Sequence, residues 1–190
     1  MTQAGTAFDT DPLDTSHPDA ERPCVKAHDW AWMQRALALA EWAQSQGEVP
    51  VGAVLVDDRQ QEVACGWNQT ITLHDPSAHA EIMALRRAGQ ALGNHRLTDL
   101  TLYVTLEPCP MCAGALVHAR VKRMVVATPD PRTGCAGSLL NLTRHPELNH
   151  HIDTCFGVEK AQAQALLQSF FQAKRARKKR AQKKPSPSPN

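Results

Sequence analysis

Residues 101–128 read TLYVTLEPCPMCAGALVHARVKRMVVAT, and the fold turns on how this stretch divides. TLYVTLE (101–107) is a strand that leads straight into PCPMCAGALVHAR (108–120), a helix opened by Pro108. VKRMVVAT (121–128) is a second strand. Strand, helix and strand of these lengths predict two parallel strands joined by a right-handed crossover.

Working outward, HDPSAHAEIMALRRAGQALG (74–93) repeats Ile82, Met83, Leu85 and Ala88 at helical spacing, with Asp75 to cap and Pro76 at the first helical position. VPVGAVLVDD (49–58) and EVACGWN (62–68) are apolar runs separated by a polar turn, which predicts a hairpin. DWAWMQRALALAEWAQSQG (29–47) places Trp32, Met33, Ala36, Leu37, Ala40 and Ala43 on one helical face, between an Asp29 cap and a Gly47 stop. Downstream, HIDTCFGV (151–158) is a short strand, and residues 159–180 form a long last helix, apolar at Ala163, Leu166, Leu167, Phe170 and Phe171. The fold class is α/β: a mixed sheet of about five strands with helices on both faces.

Charge is uneven along the chain. Residues 1–29 hold six acids against two bases, whereas residues 174–190 hold eight bases and no acid. Three segments follow: 1–28 as a disordered acidic extension, 29–173 as the domain, and 174–190 as a basic tail that ends the last helix and then loses order. The tail suits a polyanion partner or serves only to solubilise. No apolar run approaches the roughly 18 residues needed to span a bilayer, and the acidic, polar start does not read as a signal peptide. The six cysteines then read as cytosolic thiols rather than a disulfide framework.

Cys109 and Cys112 sit three apart at a helix opening, so their sulfurs share one face beside unsatisfied N–H groups that favour thiolate. The pair alone suits a redox couple as well as a zinc site. The motif HAE, His79 to Glu81, separates the two. A redox couple has no use for it. A catalytic zinc takes one imidazole and two thiolates and keeps a fourth position for water, with Glu81 at hand to manage protons. Residues two apart on a helix point apart, so both can serve one centre only beyond the helix's N-terminal end. The ion is therefore expected between the two helix starts. A structural zinc would need a fourth ligand from Cys24, Cys65, Cys135, Cys155 or a second histidine, and none of these forms a second close pair.

HAE followed by PCPMC resembles the zinc deaminase signature. EVPVGAVLV, GWN, HDPSAHAEIMALR, TLYVTLEPCPMCAGALVHARV, TGCAGSL and SFFQAKR extend the likeness to the bacterial tRNA-specific adenosine deaminases over roughly residues 29 to 180. The resemblance implies a three-layer, cytidine-deaminase-like fold with one zinc per subunit on His79, Cys109 and Cys112 and Glu81 as proton shuttle. It implies conversion of adenosine to inosine at wobble position 34 of tRNA, in a cytoplasmic homodimer. By the same resemblance Asn68 contacts the flipped nucleotide, while Asp130, Arg132, Phe171, Lys174 and Arg175 meet the flanking anticodon loop. Pro131 and Cys135 depart from the pattern, and the two termini fall outside it. Two rivals share the motifs: a deaminase of a free base or nucleotide (cytosine, guanine or deoxycytidylate), and a non-catalytic, zinc-stabilised RNA-binding module.

Overall fold

A computed structural model of the protein describes residues 24–182. The elements run α1 (Asp29–Ser45), β1 (Gly52–Val56), β2 (Glu62–Trp67), α2 (Ala80–Leu92), β3 (Thr101–Leu106), α3 (Pro110–His118), β4 (Arg123–Thr128), β5 (Asp153–Phe156) and α4 (Lys160–Gln182). They build a five-stranded sheet ordered β2-β1-β3-β4-β5. β1 pairs antiparallel with β2 and β3, while β3–β4 and β4–β5 are parallel. The expected hairpin and crossover are both present.

Side chains alternate between the two faces of the sheet. Leu55, Leu102, Val104, Met124 and Val126 pack under α2 and α3, against Ala80, Ala84, Ala88, Leu116 and Val117. Val54, Val56, Tyr103, Val125 and Ala127 pack on the other face, against Met33, Ala36 and Leu37 of α1 and Ala163 of α4. β1 and β4 are buried along their whole length, as strands covered on both faces must be. Gly66 on β2 allows α2 to come close, because a Cβ there would lie 2.2 Å from the Ala80 carbonyl oxygen.

Four expectations are corrected. α2 opens at Ala80 with His79 as N-cap, not near Asp75; Asp75 instead accepts the Ser77 N–H and hydroxyl and closes a turn ahead of the helix. α3 opens at Pro110, not Pro108, leaving Cys109 as N-cap. His28, not Asp29, is the N-cap of α1. The Asp29 carboxylate is buried in a bidentate pair with Arg123, at 2.8 Å on both oxygens, and accepts the Tyr103 hydroxyl at 2.9 Å. Finally, Cys24 and Cys155 are not free thiols: they are disulfide-bonded across a separation of 131 residues. The Cys24 carbonyl also accepts a hydrogen bond from Arg123, so residues 24–28 are held on the body. The rest of the expected N-terminal extension and the last eight residues of the basic tail lie outside the described residues.

Candidate active site

The starts of α2 and α3 bring three ligand atoms together. His79 and Cys109 are the N-caps of the two helices, both with extended backbone (ψ 156° and 173°). Neither side chain caps its own helix. His79 Nδ1 lies 3.6 Å from the sulfurs of both Cys109 and Cys112. Within 4.8 Å of one another, one imidazole nitrogen and two sulfurs form the metal-competent cluster found among the described residues. Cys65 and Cys135 are free and outside it.

The electrostatics of this cluster fit a cation. Hydrogen bonding to Cys112, with help from His79, draws the Cys109 thiol down to about 4. The same contact and burial push Cys112 up, so the two sulfurs share one proton. A divalent ion held there would displace that proton and pair with both sulfurs. Two thiolates and an imidazole suit zinc, and three protein donors leave the open position that distinguishes catalytic from structural zinc.

Glu81 follows in the first turn of α2 and is only 4 % exposed. Burial pushes its carboxyl up to about 7, the range in which a proton shuttle works best at neutral pH. It lines a pocket of about 210 Å³ with His79, Cys109, Asn68, Thr70, Glu107, Val49, Val51 and Leu106. Because His79 is extended rather than helical, it and Glu81 both reach the space beyond the helix start. Asn68 is buried, and its Oδ1 accepts the Ala80 N–H at 2.9 Å. That bond anchors the opening of α2 and leaves the side-chain amide N–H groups for a ligand.

Two buried carboxylates that sequence reasoning missed hold the rim. Glu48 accepts the N–H groups of Ile71 and Thr72 and the hydroxyls of Thr70 and Thr72. Burial pushes its carboxyl up, but these bonds prevail and keep it below the ordinary range. Glu107 holds the loop after β4 through the N–H groups of Asp130, Ala136 and Ser138. Both glutamates adjoin apolar runs, a sequence sign of a carboxylate with internal partners.

The remaining expected site residues spread outward from the pocket. Asp130 and Phe171 line an adjoining hollow of about 260 Å³, which shares Val49 and Leu106 with the pocket. Asp130 spends its carboxylate on the loop's own turn, accepting the Arg132 N–H and the Thr133 hydroxyl. Thr128 in this hollow is buried, and its hydroxyl has no protein partner among the described residues. Lys174 lines a further hollow of about 580 Å³ with Phe170 and Arg177. Arg132 and Arg175 are exposed and line none of these hollows.

A five-stranded mixed sheet that presents His, Cys and Cys from two helix starts, with a buried glutamate beside them, is an arrangement suited to zinc-dependent hydrolysis. Residues 26–128 match the family described as the cytidine and deoxycytidylate deaminase zinc-binding region, and the chain belongs to that family. It is 46% identical over 151 residues to the tRNA-specific adenosine deaminase of Haemophilus influenzae, covering 80% of this chain and 87% of that one. It is 43% identical over 155 residues to the tRNA-specific adenosine deaminase of Bacillus subtilis, covering 82% and 96%. A solved structure from work on A-to-I editing by tRNA:A34 deaminases at the wobble position superposes with a TM-score of 0.70 at 40% identity, covering 72% of this chain and 99% of that one.

Proposed function

We propose that this protein deaminates adenosine to inosine at position 34 of tRNA anticodons, with His79, Cys109 and Cys112 holding zinc and Glu81 moving the protons. The observation that carries the reading is Glu81 itself: a buried carboxyl two residues from His79, sharing a pocket of about 210 Å³ with His79 and Cys109. Zinc held by the three ligands would supply the Lewis acidity that activates a water near neutral pH.

Glu81 takes a proton from the attacking water and delivers it to N1 of the purine as the oxygen adds to C6. It then carries the second proton from that oxygen to the amine nitrogen, and ammonia leaves. Water and adenosine thus become inosine and ammonia with Glu81 regenerated. Asn68 donates its free amide N–H to the nucleotide.

An adenine inside an anticodon loop reaches such a pocket only when unstacked, at a cost of a few kcal/mol. The adjoining hollow supports this reading. Phe171 offers a stacking face, and the unpartnered Thr128 hydroxyl awaits a hydrogen bond. Exposed Arg132, Lys174 and Arg175 meet phosphates, so binding weakens steeply with salt. A homodimer and a cytoplasmic location belong to the same proposal. The wide hollow of about 700 Å³ between α2 and α3, lined by Ile82, Leu85, Leu97 and Ala115 with Arg86, Gln90, His95 and His118 among them, supports a second copy there. No helix among the described residues is long and apolar enough to cross a membrane.

The test is a substrate panel: an anticodon stem-loop with adenosine at the wobble position, free adenosine, cytosine, guanine and deoxycytidylate. Inosine forms in the stem-loop. Turnover of a free base or nucleotide with none of the RNA overturns the assignment, and zinc-loaded protein inactive on every substrate favours the non-catalytic module.

A further inference from the structure

Glu107 lies at the junction of β3 and α3, two residues before Cys109, and is 2 % exposed. Its N–H donates to the Thr128 carbonyl at 3.0 Å, extending the β3–β4 ladder by one bond. The sheet therefore places Glu107 and the metal-binding turn together. Its side chain meets the loop after β4. Oε2 accepts the Asp130 N–H at 2.9 Å, and Oε1 accepts the N–H groups of Ala136 at 2.9 Å and Ser138 at 3.0 Å. The Ser138 hydroxyl also donates to Oε2.

Two further features fit the loop to this carboxylate. Gly134 leaves room for it, since a Cβ there would lie 2.3 Å from Glu107 Cδ. The Cys135 N–H donates to the Pro108 carbonyl at 2.9 Å, a second tie to the same turn. Four donors on two oxygens require a group that only accepts; an amide would turn its NH₂ toward at least one N–H. The loop's tip, by contrast, is held by its own Asp130-centred turn. Local turn and placement are thus separate: Asp130 shapes the tip, and Glu107 attaches it.

We propose that Glu107 is a positioning residue for the RNA substrate: it locks the loop of residues 130–138 to the β3–α3 turn that carries Cys109, and so sets where that loop meets the nucleotides beside the target base. The inference rests on the tRNA reading above. Preorganisation of this kind acts on binding, because an unanchored loop must be ordered each time substrate arrives. Glu107 lines the pocket with Glu81, but both of its oxygens are engaged by the loop's donors, so it acts through the loop and not on the reacting atoms.

The experiment compares the zinc-loaded wild type with Glu107→Gln, Glu107→Asp and Ser138→Ala, on a wobble-adenosine stem-loop. Zinc content, melting temperature, KM and the single-turnover rate at saturating RNA are measured for each. For Glu107→Gln, zinc stays at one per chain and KM rises about tenfold, the size of one lost buried hydrogen bond, while the saturated rate changes little. Ser138→Ala, at an exposed position, removes one donor, folds, and raises KM about threefold. Glu107→Asp keeps the acceptor on a shorter arm and falls between wild type and Glu107→Gln.

If Glu107→Gln does not fold, the Ser138→Ala result decides. Unchanged KM in the folded variants, or a loss that tracks loss of zinc, overturns the inference. A wild type that leaves the stem-loop untouched overturns the tRNA reading instead, and the inference with it.

Discussion

His79 and Cys109 hold equivalent places in two different helices: each is an N-cap in extended conformation, and Nδ1 of the first lies 3.6 Å from Sγ of the second. The candidate metal centre is therefore a meeting of two helix starts, where side chains lean toward the N-terminal end and unpaired N–H groups favour negative ligands.

Glu81→Gln keeps the shape of the pocket and removes the proton carrier. Bound zinc, measured by elemental analysis, stays at one per chain, and the single-turnover rate falls by about 10²- to 10⁴-fold. A rate within a few-fold of wild type would assign the protons elsewhere.

Cys112→Ala leaves two of three ligands. Zinc is then lost on dialysis against a chelator that the wild type survives. The melting temperature of the zinc-loaded wild type falls toward that of the variant when the wild type is stripped, because an ion bound only by the folded state stabilises it. Equal zinc retention in the two proteins contradicts the ligand set.

Gly66→Ala tests how α2 is seated. The new methyl meets the Ala80 carbonyl, and overpacking of this kind costs about 1–3 kcal/mol. Because Ala80 follows His79, the variant also holds zinc less tightly than the wild type in a competition titration. A destabilised variant with unchanged zinc affinity shows the displacement absorbed elsewhere.

Asp29→Asn breaks the buried pair with Arg123 and costs about 3–5 kcal/mol at pH 7. Burial pushes the Asp29 carboxyl up, but hydrogen bonds from Arg123, the Lys26 N–H and Tyr103 prevail and hold it below 3.8. The pair's contribution is complete above the unfolded value and drains as pH falls through the lower folded one. Denaturation across pH therefore shows the gap between wild type and variant shrinking below pH 3.8. A gap that widens on acidification refutes this.

The Cys24–Cys155 bond closes a long loop, and on chain-entropy grounds it adds up to about 5 kcal/mol to stability. Cys155 packs in the core under α1 and α4, away from the helix starts that carry the ligands. Protein purified without reductant is lighter by its two thiol hydrogens and loses denaturant resistance on treatment with a dithiol. Turnover in dilute buffer stays the same. Activity that falls with the bond would tie the N-terminal segment to the site.

Much of the site was legible because it is local. Pro110 and the two cysteines lie within four residues of one another, and HAE within three, so spacing displayed a thiol face and an imidazole–carboxylate pair, which the fold brings together. The helix starts were read too early, at Asp75 and Pro108. Capping chemistry matches several residues in those stretches, and only the turn closed by Asp75 excludes the earlier start. The resemblance makes Asp130 a substrate contact; it lines the hollow beside the pocket, and its carboxylate accepts from the loop's own turn.

The sequence by itself determined the element types and the candidate ligand set, since hydrophobic period, turn residues and thiol spacing act over a few bonds. Tertiary structure alone decided which polar groups would serve as anchors. Glu48 holds residues 70–72, Asn68 holds Ala80, Glu107 holds residues 130–138, Asp29 meets Arg123, and Cys24 meets Cys155. A buried polar group is satisfied by whatever donor the closed sheet brings within 3 Å, and that donor carries no periodic mark in the chain.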